Sequence, residues 1–185
     1  MSVLAGFGVL SRRRVLKLSL SAGGLLVAGG AGALWALRGR APAVPGLRAL
    51  APHEYRTFSA LADAAFPGEG VLPVGARSLD LARRLDEFLA DEPPWNVDDM
   101  KRALLLLELG PVLFDRRLVT FSNLPAAERL AHFERWGVSD SLVRRRVSTA
   151  FRKFLGLVFY DSPAVWPHIG YEGPAIPLQA VEEPR

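Results

Sequence analysis

The chain has no cysteine among its 185 residues. That excludes disulfides, a cysteine-ligated iron–sulfur cluster and a covalent c-type haem, which needs C-x-x-C-H; stability must come from an apolar core. Histidine is almost as scarce. His53, His132 and His168 are far apart and fit no zinc-type spacing. No run alternates apolar and polar residues over a useful strand length, and no repeat of 20–50 residues recurs. G-x-S-x-G, H-E-x-x-H and P-loop motifs are missing, and the glycines at 29, 30 and 32 do not make a G-x-G-x-x-G turn. No catalytic or cofactor-binding constellation converges in the sequence.

Acidic residues are absent from residues 1–40, which hold Arg12, Arg13, Arg14, Lys17, Arg38 and Arg40. The formal charge of +4 and pI near 9.9 therefore belong to the N-terminal region. The remainder has 17 basic and 19 acidic residues, about −2. A nucleic-acid footprint needs clustered cations across the folded part, so nucleic acid is not an expected partner.

What those first residues do contain is Ser11-Arg12-Arg13-Arg14-Val15-Leu16-Lys17. This resembles the twin-arginine export signal, Ser/Thr-Arg-Arg-x-Phe-Leu-Lys, with Val15 in place of the usual Phe. Such a signal addresses folded cargo to a translocase of the bacterial inner membrane. Ser11, Arg12, Arg13, Leu16 and Lys17 are the residues that carry it. Leu18–Leu37 follows without a charge for 20 residues, about the length that crosses a bilayer as a helix. Two fates are open: cleavage at Ala31-Gly32-Ala33, or retention as an anchor with the arginines in the cytoplasm. Gly24, Ala28 and Gly32 either moderate the signal's hydrophobicity or form a small-residue packing face. The expected division is a signal or anchor over 1–37, a Pro/Gly linker over 38–51, a folded domain over 52–175 and a tail over 176–185.

The domain's periodicity is helical throughout, and one domain of this size can bury a substantial core. Pro52 opens a helix to about Phe66. Ser78 is the expected N-cap of Leu79–Ala90, with Leu81, Leu85, Phe88 and Leu89 as its apolar stripe. Pro93-Pro94 is expected to break the chain and Asn96 to cap the next helix, with Asp98 and Asp99 in its first turn. Ala103–Leu107 and Leu109 are apolar on nearly all sides, which points to the central helix, and Gly110-Pro111 should kink or end it. Phe114 and Phe121 flank a loop. Pro125 starts a helix over Ala126–Trp136 that stops at Gly137. Ser139 is expected to cap the longest helix, to about Tyr160, with Val143, Val147, Ala150, Phe151, Phe154 and Val158 as its buried seam. Arg144, Arg145, Arg146, Arg152 and Lys153 lie largely off that seam, most simply as a solvated face. His132, at helical spacing among Leu130, Phe133 and Trp136, is expected at the core boundary. The fold class is all-α, a single bundle of about five helices behind an N-terminal signal helix.

Residues 159–174 break the pattern with four aromatics, three prolines and two glycines. This irregular C-terminal tail either folds over its own bundle or offers an aromatic patch to another protein. Tyr160, Trp166, His168 and Tyr171 are the candidate interface residues, and a structural His168 outweighs a catalytic one.

Taken together, these features resemble the small subunit of membrane-bound gluconate 2-dehydrogenase, the subunit 3 family. The resemblance rests on the signal, Leu61-Ala62-Asp63-Ala64-Ala65-Phe66-Pro67, the loop-rich acidic middle and Phe133-x-x-Trp136. It closes on Phe159-Tyr160-Asp161-x-Pro163-x-x-Trp166 and Ile169-Gly170-Tyr171-x-Gly173-Pro174, its most specific part. It covers roughly residues 50–175 besides the signal. It implies a non-catalytic partner of a glucose–methanol–choline type dehydrogenase, whose large subunit binds FAD. This chain would carry no cofactor itself. The other implied partners are a membrane cytochrome c, the twin-arginine translocase and the inner membrane, with the complex in the periplasm. The small subunit would supply the export signal and support flavoprotein maturation. The alternative is a stand-alone periplasmic enzyme or ligand-binding bundle that uses His168 and the aromatic tail.

Overall fold

The computed structural model describes residues 39, 41–69 and 72–174. The chain divides into two compact units, residues 1–39 and 40–185. The signal residues Ser11, Arg12, Arg13, Leu16 and Lys17 lie outside the described residues, as does the Leu18–Leu37 run. Among the described residues the second unit is all-α, without a strand. Its helices are α1 (Pro52–Ala65), α2 (Ala76–Leu79), α3 (Leu81–Ala90), α4 (Pro94–Asp115), α5 (Ala126–Gly137), α6 (Leu142–Tyr160) and α7 (Trp166–Ile169). A 3-10 turn, Phe121–Asn123, joins α4 to α5. Five long helices thus carry the bundle, supplemented by two of four residues.

The expected central helix is corrected. Leu105 and Leu113 of α4 are exposed, and α1 takes the middle instead, packed against α2, α3, α4, α5 and the 3-10 turn. Its inner face is Thr57, Phe58, Ala60, Leu61 and Ala62. Small Ala60 and Ala62 let neighbouring backbones approach it closely, whereas the leucines of α4 keep theirs at a distance. Pro52 occupies the first turn as expected, and Glu54 reaches back to accept from the Ala51 N–H at 2.7 Å.

Several helix boundaries move for identifiable reasons. Ser78 does not cap α3; its hydroxyl donates to the Gly75 carbonyl at 2.8 Å inside α2. Asp80 caps α3 instead, from a left-handed conformation (φ 45°) in which its carboxylate accepts from the Arg83 N–H and the Tyr55 hydroxyl. Asn96 does not cap α4. Pro94, with φ preset for helix, starts it two residues earlier, and the Asn96 amide donates to Glu92 at 2.7 Å. Asp98 and Asp99 consequently fall past the first three helical positions. Phe114 in the last turn of α4 and Phe121 at the start of the 3-10 turn flank a loop as expected. Ser139 also yields its role: its hydroxyl accepts from the Ser141 N–H at 3.2 Å, and Ser141 is the N-cap of α6. With 22 residues against 19, α4 is longer than α6. The seam of α6 is rotated from the expected one. Ser148, Phe151, Leu155, Val158 and Phe159 are buried, while Val143 is 55% exposed.

Pro111 does not end α4 either. Proline normally clashes with the Cβ of a preceding helical residue, and Gly110 has none. The absent side chain serves a second purpose. A Cβ on Gly110 would stand 2.6 Å from Trp136 Cζ2 and 2.9 Å from His132 Nε2, so α5 can seat Trp136 and His132 only against a glycine.

Polar pins hold this packing in register. The carboxylate of Glu108, 1% exposed on α4, accepts from Thr57 Oγ1 of α1 (3.1 Å), from the Ser122 N–H (3.0 Å) and from the Ser122 hydroxyl (2.7 Å). Arg56 Nη2 of α1 lies 3.7 Å away. One acid thereby ties α1, α4 and the 3-10 turn together, with its charge met by a guanidinium.

Two substitutions test this frame. Glu108→Ala strands the buried N–H and hydroxyl of Ser122, while the Thr57 hydroxyl keeps the His53 carbonyl as acceptor, and should lower unfolding stability by about 3 kcal/mol in urea titrations. Gly110→Ala gains about 1 kcal/mol of helix propensity but overpacks the Trp136 contact. It should still melt below the parent, by a net of about 1 kcal/mol.

Candidate partner interface

The ionisable groups that might have supplied chemistry are committed to the fold. His132 lies inside the core, not at its boundary, at 2% exposure. Its Nδ1–H donates to Asp115 Oδ2 at 2.9 Å, which leaves Nε2 to accept from the Trp136 indole N–H at 3.2 Å. Both ring nitrogens are used, and that pairing fixes the tautomer. Burial pushes the His132 pKa below the ordinary histidine value, and the opposing pull of Asp115 does not restore it. Asp86 of α3 is buried too. It accepts from three successive backbone N–H groups: Arg48 (2.8 Å), Ala49 (2.9 Å) and Leu50 (2.7 Å). Burial pushes its pKa up, but those three donors outweigh burial and hold it below the usual carboxylate range. The end of the stretch read as a linker is thus docked, and Leu50 joins the core.

Four residues were singled out at the C-terminal end, and three of them share one compact knuckle. Phe159 is buried and stacks on Phe66 (3.9 Å between centroids, 2° between planes), while Tyr160 meets Phe66 edge-on at 6.4 Å. The chain then turns through buried Ser162 and Val165 into α7. Pro167, in the first turn of α7, favours that helix, so the tail read as irregular contains one helical turn. The Trp166 indole N–H donates to the Tyr160 carbonyl at 2.9 Å, closing the last turn of α6, and the Tyr171 ring stands edge-on to Trp166 at 5.3 Å. Gly173, at φ 105°, lies where a Cβ would be 3.3 Å from the Trp166 ring.

Tyr160, Ile169 and Tyr171 are left 43–48% exposed, on backbone that Trp166 holds in place. Phe159 and Val165 cover the bundle, and the tyrosines and Ile169 face outward. An apolar surface of this kind, with hydroxyl tips and little side-chain entropy to lose, has the composition of an interface core. His168 is exposed beside it and makes no side-chain contact with the Trp166 and Tyr171 rings among those described. Ile169 escaped the sequence reading, because its exposure follows from the turn at Gly170 and not from periodicity.

No helix among the described residues is long and apolar enough to cross a membrane, and no group of three His, Cys, Asp or Glu among them could hold a metal ion. Compared with protein-family models, curated proteins and solved structures, the chain matches none.

The Asp86 geometry gives a pH dependence. Its folded pKa lies below the unfolded one, so its contribution is complete above the unfolded value of about 3.9 and is lost as pH falls through the folded value. Asp86→Asn should cost about 2 kcal/mol at pH 7, and the gap from the parent should narrow progressively below pH 4 in urea titrations.

Proposed function

We propose that this chain is a non-catalytic small subunit of a periplasmic, membrane-associated dehydrogenase whose FAD lies in a separate large subunit. Its twin-arginine signal exports the pair, and its helical domain supports maturation of the flavoprotein. The observation that carries this reading is the rigid, outward-facing knuckle of Tyr160, Ile169 and Tyr171, a surface suited to a protein partner. The commitment of His132, Asp86 and Glu108 to packing supports it, since each holds helices or the entry segment in place. So does the likeness of Ser11–Lys17 to an address for folded cargo, which a cofactor-loaded partner would need. A membrane cytochrome c would receive the electrons. The partner's substrate is a matter for its own chain.

The test is to replace Arg12 and Arg13 with lysine and follow the proposed flavoprotein partner. Both proteins should then accumulate in the cytoplasm, with dehydrogenase activity lost from the periplasm. Arrival of the flavoprotein in the periplasm at parental levels would remove the co-export role. Turnover by the purified small subunit alone would favour the stand-alone enzyme.

A further inference from the structure

Helix α6 carries Arg144, Arg145, Arg146, Arg152 and Lys153 and not one acid. The rest of residues 41–185 holds 12 basic residues against 19 acidic, so α6 carries about +5 against about −7 for the remainder. None of the five cations forms an ion pair among the described residues; the pairs found there all involve other helices and the entry segment. Arg144 and Arg152 lie over the rings of Phe114 and Phe133, and Arg145 donates to the Ser139 carbonyl. Arg146 and Lys153 are exposed.

The same helix has a face that none of the described residues covers. Leu142, Arg146, Ala150, Lys153, Phe154 and Leu157 line a groove of about 750 Å³ that follows the helix for some four turns. Leu142 and Leu157 are half exposed at its two ends. Its centre is formed by the small residues Thr149 and Ala150, which would let a second helix approach closely. Beyond Ala150 and Phe154 a smaller cavity of about 280 Å³, walled by Phe88, Met100 and Phe151, offers room for one bulky apolar side chain.

We infer that this groove is a docking site for an acidic amphipathic helix of a partner protein, whose apolar stripe lies on Ala150, Phe154 and Leu157 while its carboxylates meet Arg146 and Lys153. Charge complementarity selects an anionic occupant, because Arg146 and Lys153 form no ion pair among the described residues. The groove's length and small-residue centre select a helix, which packs ridge into groove. The site is separate from the aromatic knuckle and does not require the partner to be a dehydrogenase.

The experiment places the photo-crosslinker benzoylphenylalanine at Thr149 in the full chain, expressed in its own host, with Arg102 on α4 as the control position. The expected result is a protein adduct at Thr149, absent at Arg102, that maps by mass spectrometry to an acidic amphipathic helix of another protein. Arg146→Glu with Lys153→Glu should reduce that adduct about tenfold, and reversing the facing acids of the mapped helix to lysine should restore it. Circular dichroism of the variants, together with the neutral pair Arg146→Gln and Lys153→Gln, separates loss of docking from loss of fold. Adducts with residues 175–185 of this chain, adducts with phospholipid, an adduct indifferent to charge reversal, or no adduct would each overturn the inference. An adduct with an acidic helix of a protein that is not a flavin dehydrogenase would uphold the groove and count against the function proposed above.

Discussion

Everything else in the domain is arranged around the carboxylate of Glu108. A buried charge costs several kcal/mol unless it is paired and its lone pairs are satisfied. Here the partners come from two places in the chain: Thr57 and Arg56 on α1, and Ser122 on the 3-10 turn. Satisfying one acid on α4 therefore fixes the rotation of α1, and α1 lies at the centre of the bundle. The apolar contacts of Phe58, Leu61, Leu104, Leu107 and Phe121 give the attraction, but they would tolerate small slips. The carboxylate tolerates few, because a slip would leave buried donors without an acceptor.

The same device recurs at the edges. Asp86 gathers the three N–H groups of residues 48–50, which would otherwise be partly buried donors without a strand or helix to serve them. Asp115 orients His132, whose other nitrogen receives Trp136, and Gly110 leaves the space in which that pair can sit. A chain without disulfides has in their place a set of acids that join segments distant in sequence. Most of those acids look from the sequence like ordinary surface charges.

That is also where the sequence was hardest to read. Helix existence was legible: proline-led starts at Pro52 and Pro125, glycine and proline stops, and 3.6-residue spacing locate the five long helices. Burial of Asp86 and Glu108 was not. Each sits at a helical position where an exposed acid would look the same, and the partners that bury it are 36 and 51 residues away or in a turn. The caps at Ser78, Asn96 and Ser139 failed for a related reason. At Ser78 and Asn96 a nearby residue caps the helix or starts it sooner, whereas the Ser139 hydroxyl is taken by the Ser141 N–H and the helix begins only at Leu142; composition does not rank such neighbours. The aromatic tail was legible as a surface but not as a shape. Its geometry depends on one indole reaching back to the Tyr160 carbonyl and on the turn at Gly170, whose positive φ no spacing rule supplies.

Helix α6 shows how a correct local reading can change meaning in three dimensions. A run of cations off the apolar seam reads as a solvated face, because long basic side chains lose little by staying in water. A solvated face of this kind is usually convex and interspersed with acids, which pair with the cations along the helix. On α6 the acids are absent, the surface between Leu142 and Leu157 is concave, and apolar floor lies between the charges. One side of the helix builds the core through Phe151, Leu155 and Phe159, its C-terminal turn anchors the knuckle, and a second side remains open. Burying that open side against an acidic helix would cover Phe154 and Leu157 and neutralise Arg146 and Lys153 together. Water can hydrate the cations, but it leaves the apolar floor exposed.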